Sequence, residues 1–431
     1  MIMTHIDLII IGAGPGGYST ATYAAKHGLK VAIVEKEHLG GTCLNAGCIP
    51  TKCYVHDAEL LRNPLLDEQG VKKIDFKRIV ERKNNVILQL RGAVETLMSQ
   101  PGITLVRGKA EFVDSKTIEV NGEQYSADNI IIATGSHSKM PPFAPKVGLT
   151  SGVNVVTSTE LLNLDYVPKR LAIVGAGVIG MEFASAFAAF GSEVNVYEFL
   201  KECLPPMDKD IAKRLRKTLE KRGINFHMKY SVNNVEELNA DTVLIATGRA
   251  ANVDGLGLEN TGIEYSQKGI AVDDNMKTNV EGIYAIGDVN GRMMLAHAAE
   301  WQGKRAVNSI LGLSDNIRFD IMPSAVFTYP EAASVGPTEE TLKAQGKAYK
   351  TTKGFYRANG KALTMEETEG MMKLLTDDNG KILACHIFGA HSADIVQEVA
   401  VLMNEDATVD TLRDIIHIHP TLSEVLSDAV R

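Results

Sequence analysis

The stretch DLIIIGAGPGG, residues 7–17, decides the fold of the chain around it. Its apolar run predicts a buried strand of a parallel sheet. Gly12, Gly14 and Gly17 form the pattern G-x-G-x-x-G, in which the first glycine permits a tight turn, the second admits a pyrophosphate, and the third lets a helix pack on the strand. A helical segment and a second strand follow and end at Glu35, whose carboxylate can accept hydrogen bonds from a ribose. This order of elements predicts a dinucleotide-binding unit.

The same order recurs in residues 170–199, RLAIVGAGVIGMEFASAFAAFGSEVNVYEF. Gly175, Gly177 and Gly180 stand between an apolar strand and a helix of small residues, and a further strand ends at Glu198. The first glycine and the acid are 23 positions apart in both copies. One isolated glycine pattern is weak evidence, but two complete units with equal spacing are strong evidence. The chain is therefore expected to bind two dinucleotides.

Glu198 also predicts which nicotinamide cofactor binds the second unit. A carboxylate at that strand end favours a free ribose 2′-hydroxyl and repels a 2′-phosphate. No arginine lies in the segment 196–202, where Lys201 is the nearby cation. NAD is therefore expected rather than NADP.

Three further strands return the chain to these nucleotide sites. DNIIIATGS (128–136) and DTVLIATGR (241–249) both end in Ala-Thr-Gly before their last residue. GIYAIGD (282–288) ends at Asp288, whose carboxylate can hold a sugar hydroxyl. An acid that caps a turn or a helix would give the same pattern, so both roles stay open for this residue.

Composition limits the classes of function. With 431 residues, the chain is expected to form roughly two to four domains. An apolar share of 45% and a charged share of 23% are ordinary for a globular enzyme. The net charge of −8, without a long basic run, argues against nucleic acid and anionic membranes as partners.

Neither a membrane span nor a secretion signal is expected. No stretch approaches the roughly 20 apolar residues that cross a bilayer. The first residues, MIMTHIDLII, lack a basic n-region and a cleavage site. A cytoplasmic location is expected, and in that reducing compartment a close cysteine pair is more often catalytic or metal-binding than structural.

The cysteines are too few for a disulfide-framed secreted protein: Cys43, Cys48, Cys53, Cys203 and Cys385. The first two lie in GGTCLNAGCIPTK, residues 40–52. Residues five apart in a regular helix are separated by about 7.5 Å of rise and roughly 140° of rotation. A disulfide needs Cα atoms about 4.4–6.8 Å apart, so a bridge here requires a break in the helix.

Gly47 and Pro50 permit such a break. Because proline is tolerated only in the first turn, regular helix is expected from near Ile49. Cys48 would then lie at the helix N-terminus, where the dipole lowers the pKa of a thiol.

Three roles are conceivable for this cysteine pair. A zinc site usually needs a second pair of ligands, and the candidates, His417 and His419, are far along the chain. A structural disulfide does not suit a reducing compartment. A redox dithiol beside a flavin bound by the first glycine unit is favoured, and no metal site is expected.

Two neighbours of the pair have separate expectations. Lys52 lies one helical turn beyond Cys48, where an ammonium can stabilise negative charge on a reduced flavin, although a solvated surface lysine is the alternative. Cys53 is expected inside the helix as a buried, inert thiol.

The C-terminal stretch DIIHIHPTLSEVLSDAV, 414–430, holds a candidate base. His417 and His419 alternate with apolar residues, and a helix is expected from about Thr421. Glu424 can bind one imidazole nitrogen, fix the tautomer and raise the basicity of the ring. A His–Glu pair is what is needed to take a proton from an incoming thiol.

These residues together resemble the flavoenzymes that exchange electrons between disulfides and pyridine nucleotides. GGTCLNAGCIPTK is similar to the redox-active disulfide motif of that family. Its successive signatures are matched over nearly the full chain by GAGVIGMEFAS, AIGDV, MLAHAAEWQG, FTYPEAASVG, ANGKALTMEETEG and HIHPTLSE. The last is the most discriminating, because it is similar to the base motif of the dihydrolipoyl dehydrogenases, whereas relatives that reduce mercury lack this His–Glu pair.

The resemblance implies a role for each matching catalytic position. Cys43 would exchange with the dithiol substrate, and Cys48 would contact the flavin. Lys52 would pair with Glu182 beside the flavin.

The resemblance further implies that His419, directly before the proline, is the acid–base residue. Glu424 would orient it, and the other subunit of a homodimer would supply it. His417 is then the less favoured base.

The resemblance also implies cofactor contacts. FAD is expected at Gly12, Gly14, Gly17, Glu35, Thr42, Lys52, Ala110, Thr134, Gly135, Asp288, Met294, Leu295, Ala296 and His297. NAD is expected at Gly175, Gly177, Gly180, Glu182, Glu198 and Gly248.

The implied fold is α/β. Rossmann-like domains for FAD (1–145) and NAD (146–262) are followed by a central segment (263–320) that returns to the FAD domain and by an α+β dimerisation domain (321–431). In that last domain, VFTYPEAASVG and GMMKLL…ILACHIFG predict strands of a mixed sheet. One departure from the family is visible, since too few residues lie between 225–239 and 241–248 for the β-hairpin that these enzymes usually insert in the NAD unit.

The implied reaction is oxidation of dihydrolipoamide by NAD⁺. The dithiol would be carried by the lipoyl domain of a 2-oxoacid dehydrogenase or glycine-cleavage system. Two alternatives stay open: a related flavoprotein reductase that acts on another disulfide or oxidant with NADH, and a non-enzymatic metal or redox sensor.

Overall fold

A computed structural model describes residues 4–62 and 75–431. Its strands are β1 Thr4–Ile11, β2 Val31–Glu35, β3 Ile103–Arg107, β4 Ala110–Phe112, β5 Thr117–Val120, β6 Glu123–Ile132, β7 Ser136–Ser138, β8 Gly148–Thr150, β9 Val153–Val156, β10 Arg170–Val174, β11 Glu193–Glu198, β12 Asn225–Met228, β13 Thr242–Ile245, β14 Arg249–Ala251, β15 Tyr265–Ser266, β16 Gly269–Ile270, β17 Ile283–Ala285, β18 Ser324–Val326, β19 Glu331–Val335, β20 Lys350–Phe355, β21 Met371–Thr376 and β22 Ile382–Gly389.

The α-helices are α1 Pro15–Lys26, α2 Gly41–Ala46, α3 Cys48–Leu60, α4 Phe76–Met98, α5 Ser158–Leu161, α6 Val178–Ala189, α7 Lys209–Lys221, α8 Ala296–Leu311, α9 Glu339–Ala344, α10 Gly360–Thr364, α11 Ser392–Asn404, α12 Val409–Asp414 and α13 Glu424–Val430. Short 3₁₀ helices lie at Val235–Leu238, Leu258–Asn260, Gly287–Asn290 and Tyr356–Ala358. No helix in the described part of the chain is long and apolar enough to cross a membrane.

The described residues form two compact units. The first comprises residues 4–53, 78–139 and 248–317. The second comprises residues 54–62, 75–77, 140–247 and 318–431.

The first unit is built on a sheet with the strand order β3-β2-β1-β6-β5-β4. β3, β2, β1 and β6 are parallel, while β5 and β4 continue antiparallel from the first half of β6 and β17 pairs parallel with its second half. Leu8, Ile9 and Ile10 of β1 are fully buried, as a central parallel strand requires. Since Ile11 pairs with both Val34 and Ile132, three strands end side by side at the glycine loop.

The second unit holds a sheet of the same design, ordered β12-β11-β10-β13-β9-β8. All its neighbours are parallel except β8 and β9. Between β12 and β13 the structure has the single 3₁₀ helix Val235–Leu238, in the place where the sequence was too short for a hairpin.

The same unit contains a five-stranded sheet, β18-β19-β22-β21-β20. Its core includes side chains of both the sheet and the helices α11 and α13, such as Leu374, Ile387, Val399 and Leu426. The expected mixed sheet is wrong, because every neighbouring pair is antiparallel. Short turns at 327–330 and 377–381 reverse the chain between β18 and β19 and between β21 and β22, which makes these two pairs antiparallel, and the first turn divides VFTYPEAASVG into two strands.

Candidate active site and cofactor sites

The three glycines of the first loop have three different surroundings. Gly12 has φ +106°, and a Cβ there would lie 2.4 Å from the carbonyl oxygen of Ala133. A Cβ at Gly17 would lie 1.9 Å from the carbonyl oxygen of Gly12. A Cβ at Gly14 would have the Cα of Gly41 as its nearest atom, at 4.0 Å, so this backbone is open to a ligand. The first and third glycines therefore allow the loop to close, and the second leaves space for a pyrophosphate.

Glu35 is fixed at the carboxyl end of β2. Its side chain is buried, with Oε2 accepting the backbone N–H of Ala13 at 2.8 Å and Oε1 accepting that of Glu37 at 2.7 Å. These bonds hold the carboxylate at the glycine loop, which is where the ribose of a dinucleotide would lie.

The second loop repeats these surroundings closely. Gly175 has φ +108°, and its Cβ would lie 2.4 Å from the carbonyl oxygen of Ala246. A Cβ at Gly180 would lie 2.0 Å from the carbonyl oxygen of Gly175, and one at Gly177 would meet no atom of the described residues within 4 Å. The second loop is therefore equally suited to a dinucleotide.

Glu198 reproduces the position of the first acid. It is buried, and its Oε2 accepts the backbone N–H of Ala176 at 2.8 Å while Oε1 accepts that of Leu200 at 2.9 Å. Gly248, another expected NAD contact, has φ +110°, and a Cβ there would meet nothing within 4 Å in the part of the chain that the structure describes.

Asp288 lies in the 3₁₀ helix Gly287–Asn290 of the first unit, beside two residues that the sequence patterns did not identify. Its Oδ2 accepts a hydrogen bond from Ser136 Oγ at 2.5 Å and lies 3.9 Å from Arg249 Nε. Arg249 also donates to Ser136 Oγ at 2.7 Å. Ser136 and Arg249 each directly follow an Ala-Thr-Gly, and that repeated position is the signal that could have identified them.

The causes of the pKa shift of Arg249 indicate that this cluster lies near Cys48. Burial lowers the pKa of the guanidinium, and the negative charges of Asp288 and Cys48 oppose that effect. Cys48 therefore lies within electrostatic reach of Arg249 in the first unit.

The other expected FAD contacts lie on several elements of the first unit. Thr134 is joined to Asn252 by two hydrogen bonds of 2.8 Å, and Gly135 has φ +72°. Ala110 is buried in β4. The remaining segment surrounds the start of α8: Met294, Leu295 as the residue before the helix, Ala296 and His297. At the N-terminus of a helix, the backbone N–H groups and the helix dipole favour an acceptor or an anion.

The cysteine segment is divided into two helices. α2 ends at Ala46, Gly47 has φ −146° and ψ −115°, and α3 begins at Cys48. A Cβ at Gly47 would lie 2.9 Å from the carbonyl oxygen of Thr42 and 3.2 Å from the Cα of Cys43, so the chain folds tightly back at this point. The predicted break is confirmed, and it brings the two thiols together.

The two thiols interact directly. The pKa of Cys43 is raised, first by its hydrogen bond with Cys48 and then by burial, while the nearby ammonium of Lys52 opposes the shift. Cys43 is half-buried and Cys48 is exposed at the start of α3. A pair of adjacent thiols of which one is accessible can form and break a disulfide.

A tyrosine near Cys43 was also missed. The pKa of Tyr18 is raised by burial first, then by the carboxylate of Glu300 and by the Cys43 sulfur. Its position follows from the backbone, because Tyr18 is one turn from Gly14 on α1 and Gly14 touches Gly41. No local pattern in the sequence marks this residue.

Cys53 stands apart from the pair. It is buried, as predicted, and Arg82 donates to its carbonyl oxygen at 2.9 Å.

His419 is held by Glu424. The ring Nδ1 is 2.9 Å from Glu424 Oε1, while Oε2 accepts the backbone N–H of Thr421 at 2.8 Å. These partners lower the pKa of Glu424, the Thr421 amide first and His419 next. The ring is 78% exposed, so Nε2 is free to meet a substrate. α13 begins at Glu424, three residues after the expected start, and residues 422–423 form a turn before it.

His417 has a different environment. Its side chain is 6% exposed, and Nε2 lies 2.9 Å from Glu398 Oε1. Both histidines therefore have a carboxylate partner, but only His419 presents its ring to the surface.

Glu182 lies on α6 in the second unit and is buried. Its Oε1 accepts the backbone N–H of Phe327 at 3.0 Å. The pairing with Lys52 stays a prediction. Among the described residues, no group of three or more His, Cys, Asp and Glu side chains could hold a metal ion.

Known proteins resemble this chain over almost its full length. Residues 6–303 match the family model of the pyridine nucleotide-disulphide oxidoreductases, and residues 322–430 match the dimerisation domain of the same enzymes. Dihydrolipoyl dehydrogenase of Chlamydia muridarum is 36% identical over 446 residues, covering 98% of this chain and 96% of that protein. Mitochondrial dihydrolipoyl dehydrogenase 2 of Arabidopsis thaliana is 37% identical, covering 98% and 89%.

Among solved structures, the HOCl-induced flavoprotein disulfide reductase RclA from Escherichia coli is similar with a TM-score of 0.89. It is 32% identical, and the match covers 98% of this chain and 99% of that one.

These likenesses agree with the geometry. Family members use FAD and NAD(H), and each glycine loop has the open second glycine and buried acid that such a cofactor needs. Cys43 and Cys48 fit a redox-active disulfide, and the dimerisation domain supports a homodimer. The chain is an α/β flavoprotein oxidoreductase, and it belongs to the pyridine nucleotide-disulphide oxidoreductase family.

Proposed function

We propose that the chain oxidises dihydrolipoamide to lipoamide, with NAD⁺ as the electron acceptor. One observation carries the proposal: an exposed His419 ring held through Nδ1 by Glu424, a pair suited to take protons from a dithiol. Support comes also from dihydrolipoyl dehydrogenases that are about one-third identical over nearly the full chain.

His419 begins the reaction as a general base. Glu424 accepts from Nδ1–H, which leaves Nε2 as the atom that takes the proton from a substrate thiol. The substrate thiolate attacks Cys43, the Cys43–Cys48 bond breaks, and Cys48 leaves as a thiolate. The second substrate thiol then attacks the mixed disulfide, so that lipoamide is released and both cysteines are reduced.

Cys48 is placed to carry the negative charge. It is the first residue of α3, where the N–H groups of the first turn favour a thiolate. When bound, FAD supplies the two-electron relay between this dithiol and NAD⁺. The residues expected to hold FAD and NAD keep those roles within this proposal.

The domain roles follow the same proposal. Residues 1–145 bind FAD, 146–262 bind NAD, 263–320 return to the flavin, and 321–431 form the dimer contact. Through that contact, each subunit supplies His419 to the other. Lys52 and Glu182 pair beside the flavin.

The physiological dithiol is the lipoyl domain of a 2-oxoacid dehydrogenase or glycine-cleavage system in the cytoplasm. Support for this partner is the likeness to dihydrolipoyl dehydrogenases alone.

The test is a steady-state assay of the FAD-loaded dimer with dihydrolipoamide and NAD⁺, following NADH. We expect turnover, its complete loss in Cys48→Ser, and a rate lower by about 10²–10⁴ in His419→Gln, as expected for a lost general base. His417→Gln is the matched control, because the His417 side chain is buried and paired with Glu398. The turnover rate of this variant should stay within about twofold of the parent. Unchanged turnover in His419→Gln would show that His419 is not the general base.

A second candidate is a disulfide reductase driven by NADH. It is favoured by RclA, whose match covers nearly all of both chains, whereas the aligned dehydrogenases are longer than this chain. Comparing kcat/KM for dihydrolipoamide with NAD⁺ against a panel of disulfides with NADH decides between them. A preference of more than about tenfold for a disulfide without a lipoyl group would favour the reductase.

A further inference from the structure

A segment that follows Glu198, residues 199–208, lies against the second glycine loop; we call it the strap. Cys203, Leu204 and Met207 of the strap are buried. The backbone N–H of Leu204 donates to the carbonyl oxygen of Ala176, within the glycine loop, at 2.9 Å. The strap therefore holds the loop through Ala176, the residue that also donates to Glu198.

The conformation of Leu204 needs support from its surroundings. Its φ is +49°, in the left-handed region that is unfavourable for a residue with a side chain. In the first unit, the corresponding bond to Ala13 is donated at 2.8 Å by Gly40, which adopts a positive φ without that penalty. A non-glycine residue keeps such a conformation only where neighbouring structure fixes it.

The end of the strap is fixed by a buried ion cluster of Asp208, Lys373 and Glu339, which we call the latch. Both carboxylate oxygens of Asp208 lie 2.9 Å from Lys373 Nζ on β21, and the two side chains are 0% and 1% exposed. Glu339 is the second carboxylate partner of the same ammonium. Buried charges are tolerated when they are paired and fully hydrogen-bonded in this way.

Asp208 has a second function in the latch, because it is also the N-cap of α7. Its Oδ1 accepts the backbone N–H of Asp210 at 3.1 Å. The beginning of the strap is tied to the same helix, since Glu202 Oε1 lies 2.6 Å from Arg216 Nε. The strap is therefore held at both ends.

We propose that Asp208 and Lys373 are positioning residues for NAD binding. The path runs from Lys373 to Asp208, along the strap to Leu204, and through its hydrogen bond to Ala176. Ala176 in turn donates to Glu198 Oε2 at 2.8 Å. Asp208 and Lys373 act without touching the cofactor, because they keep the glycine loop and Glu198 in the geometry that receives the ADP-ribose half of NAD. The inference does not depend on which disulfide the enzyme uses.

The test measures ADP-ribose binding to the FAD-loaded dimer by calorimetry, because this ligand is redox-inert and needs no dithiol substrate. Asp208→Asn keeps a good N-cap on α7 while removing the charge that faces Lys373. Lys373→Met removes the ammonium. We expect Kd to rise by about tenfold in each variant, with flavin content unchanged, and Lys373→Arg to restore part of the affinity.

Lys353→Met is the matched control. Lys353 neighbours Lys373 across β20 and β21 and pairs with Asp210 at 3.0 Å, so it also joins this sheet to α7 but does not touch Asp208. Its Kd should stay within about twofold of the parent value.

A purely stabilising role would lower the thermal midpoint of the latch variants and leave their Kd unchanged, which overturns the proposal. An equal loss of affinity in Lys353→Met overturns it as well. If Lys373→Met does not yield a folded dimer, Asp208→Asn alone decides.

Discussion

The two glycine loops, one in each unit, are nearly identical in their closest contacts but lead into different structures. In both loops, a Cβ added to the first glycine would lie 2.4 Å from the carbonyl oxygen of an alanine on the neighbouring strand end. A Cβ added to the third glycine would lie 1.9 Å (first loop) or 2.0 Å (second loop) from the carbonyl oxygen of the first glycine. In each unit, a residue that follows the acid donates a hydrogen bond to the carbonyl oxygen of the loop alanine, which is Ala13 in the first unit and Ala176 in the second. The glycine motif therefore sets the same local geometry in two different structural contexts.

The difference lies in the segment after that hydrogen bond. In the first unit the donor is Gly40, and the chain continues into the helices of Cys43 and Cys48. In the second unit the donor is Leu204, and the chain continues through the latch. Two loops of one design thus serve a redox centre in one unit and an electrostatically anchored segment in the other.

Substitution of the third glycine in each loop should have the largest effect on cofactor binding, and it tests whether the two loops are equivalent. In Gly180→Ala the added methyl would lie 2.0 Å from a backbone oxygen, so the loop must open. We expect NAD⁺ to bind at least about 100-fold more weakly while FAD is retained, measured by calorimetry and flavin absorbance. Gly17→Ala, with its methyl at 1.9 Å, should instead lose FAD. An unchanged NAD⁺ affinity in Gly180→Ala would show that the two loops are not equivalent.

Substitution of the second glycine of the second loop, Gly177, should have a smaller effect on NAD⁺ binding. Gly177 has φ −76° and ψ −175°, which alanine adopts readily, and no atom of residues 4–62 and 75–431 would lie within 4 Å of the added Cβ. Gly177→Ala should therefore change the free energy of unfolding by less than about 0.5 kcal/mol. The methyl would occupy space that a pyrophosphate needs, so Kd for NAD⁺ should rise by about tenfold. Chemical unfolding and calorimetry on one preparation separate the two quantities, and a stability loss without an affinity loss would contradict the assigned role.

Lowering the pH should have the smallest effect on the protein, and it tests the ion cluster of the latch. The pKa of Glu339 is lowered to about 2, because hydrogen bonds from Lys373 and Tyr349 outweigh burial, which alone would raise it. An unfolded glutamate has a pKa of about 4.3. The folded protein therefore binds fewer protons between these values, so the stabilisation is complete above about pH 4.5 and is lost as the pH falls towards 2.

This prediction is checked by thermal unfolding at pH 7 and pH 3.5. The parent should lose more of its midpoint temperature on acidification than Glu339→Gln, which has no carboxylate to protonate. Equal losses in both proteins would mean that Glu339 does not contribute to this pH dependence.

Local patterns predicted the local structure well. β1, β10 and the loops after them follow from apolar runs and glycine spacing, because a turn of this kind depends on a few neighbouring residues. The break at Gly47 was predictable from helix geometry and Pro50. The pairing of His419 with Glu424 was predictable for the same reason, since only five positions separate them.

Contacts between distant parts of the chain were not predictable. Asp208 and Lys373 are 165 positions apart, and Ser136 and Asp288 are 152 apart. The antiparallel pairing of the C-terminal sheet was missed because strand patterns do not show strand direction. Tyr18 near Cys43 was missed because its neighbours come from another helix and loop.

From the sequence alone, one can determine two dinucleotide loops, a thiol pair at a helix start and a histidine before a proline, because each depends on residues that are close together in the chain. Only the tertiary structure decides that His419 is exposed while His417 is buried, and that Asp208 meets Lys373. The physical reason is that burial and ion pairing depend on which distant segments exclude water from a side chain, and spacing along the chain does not contain that information.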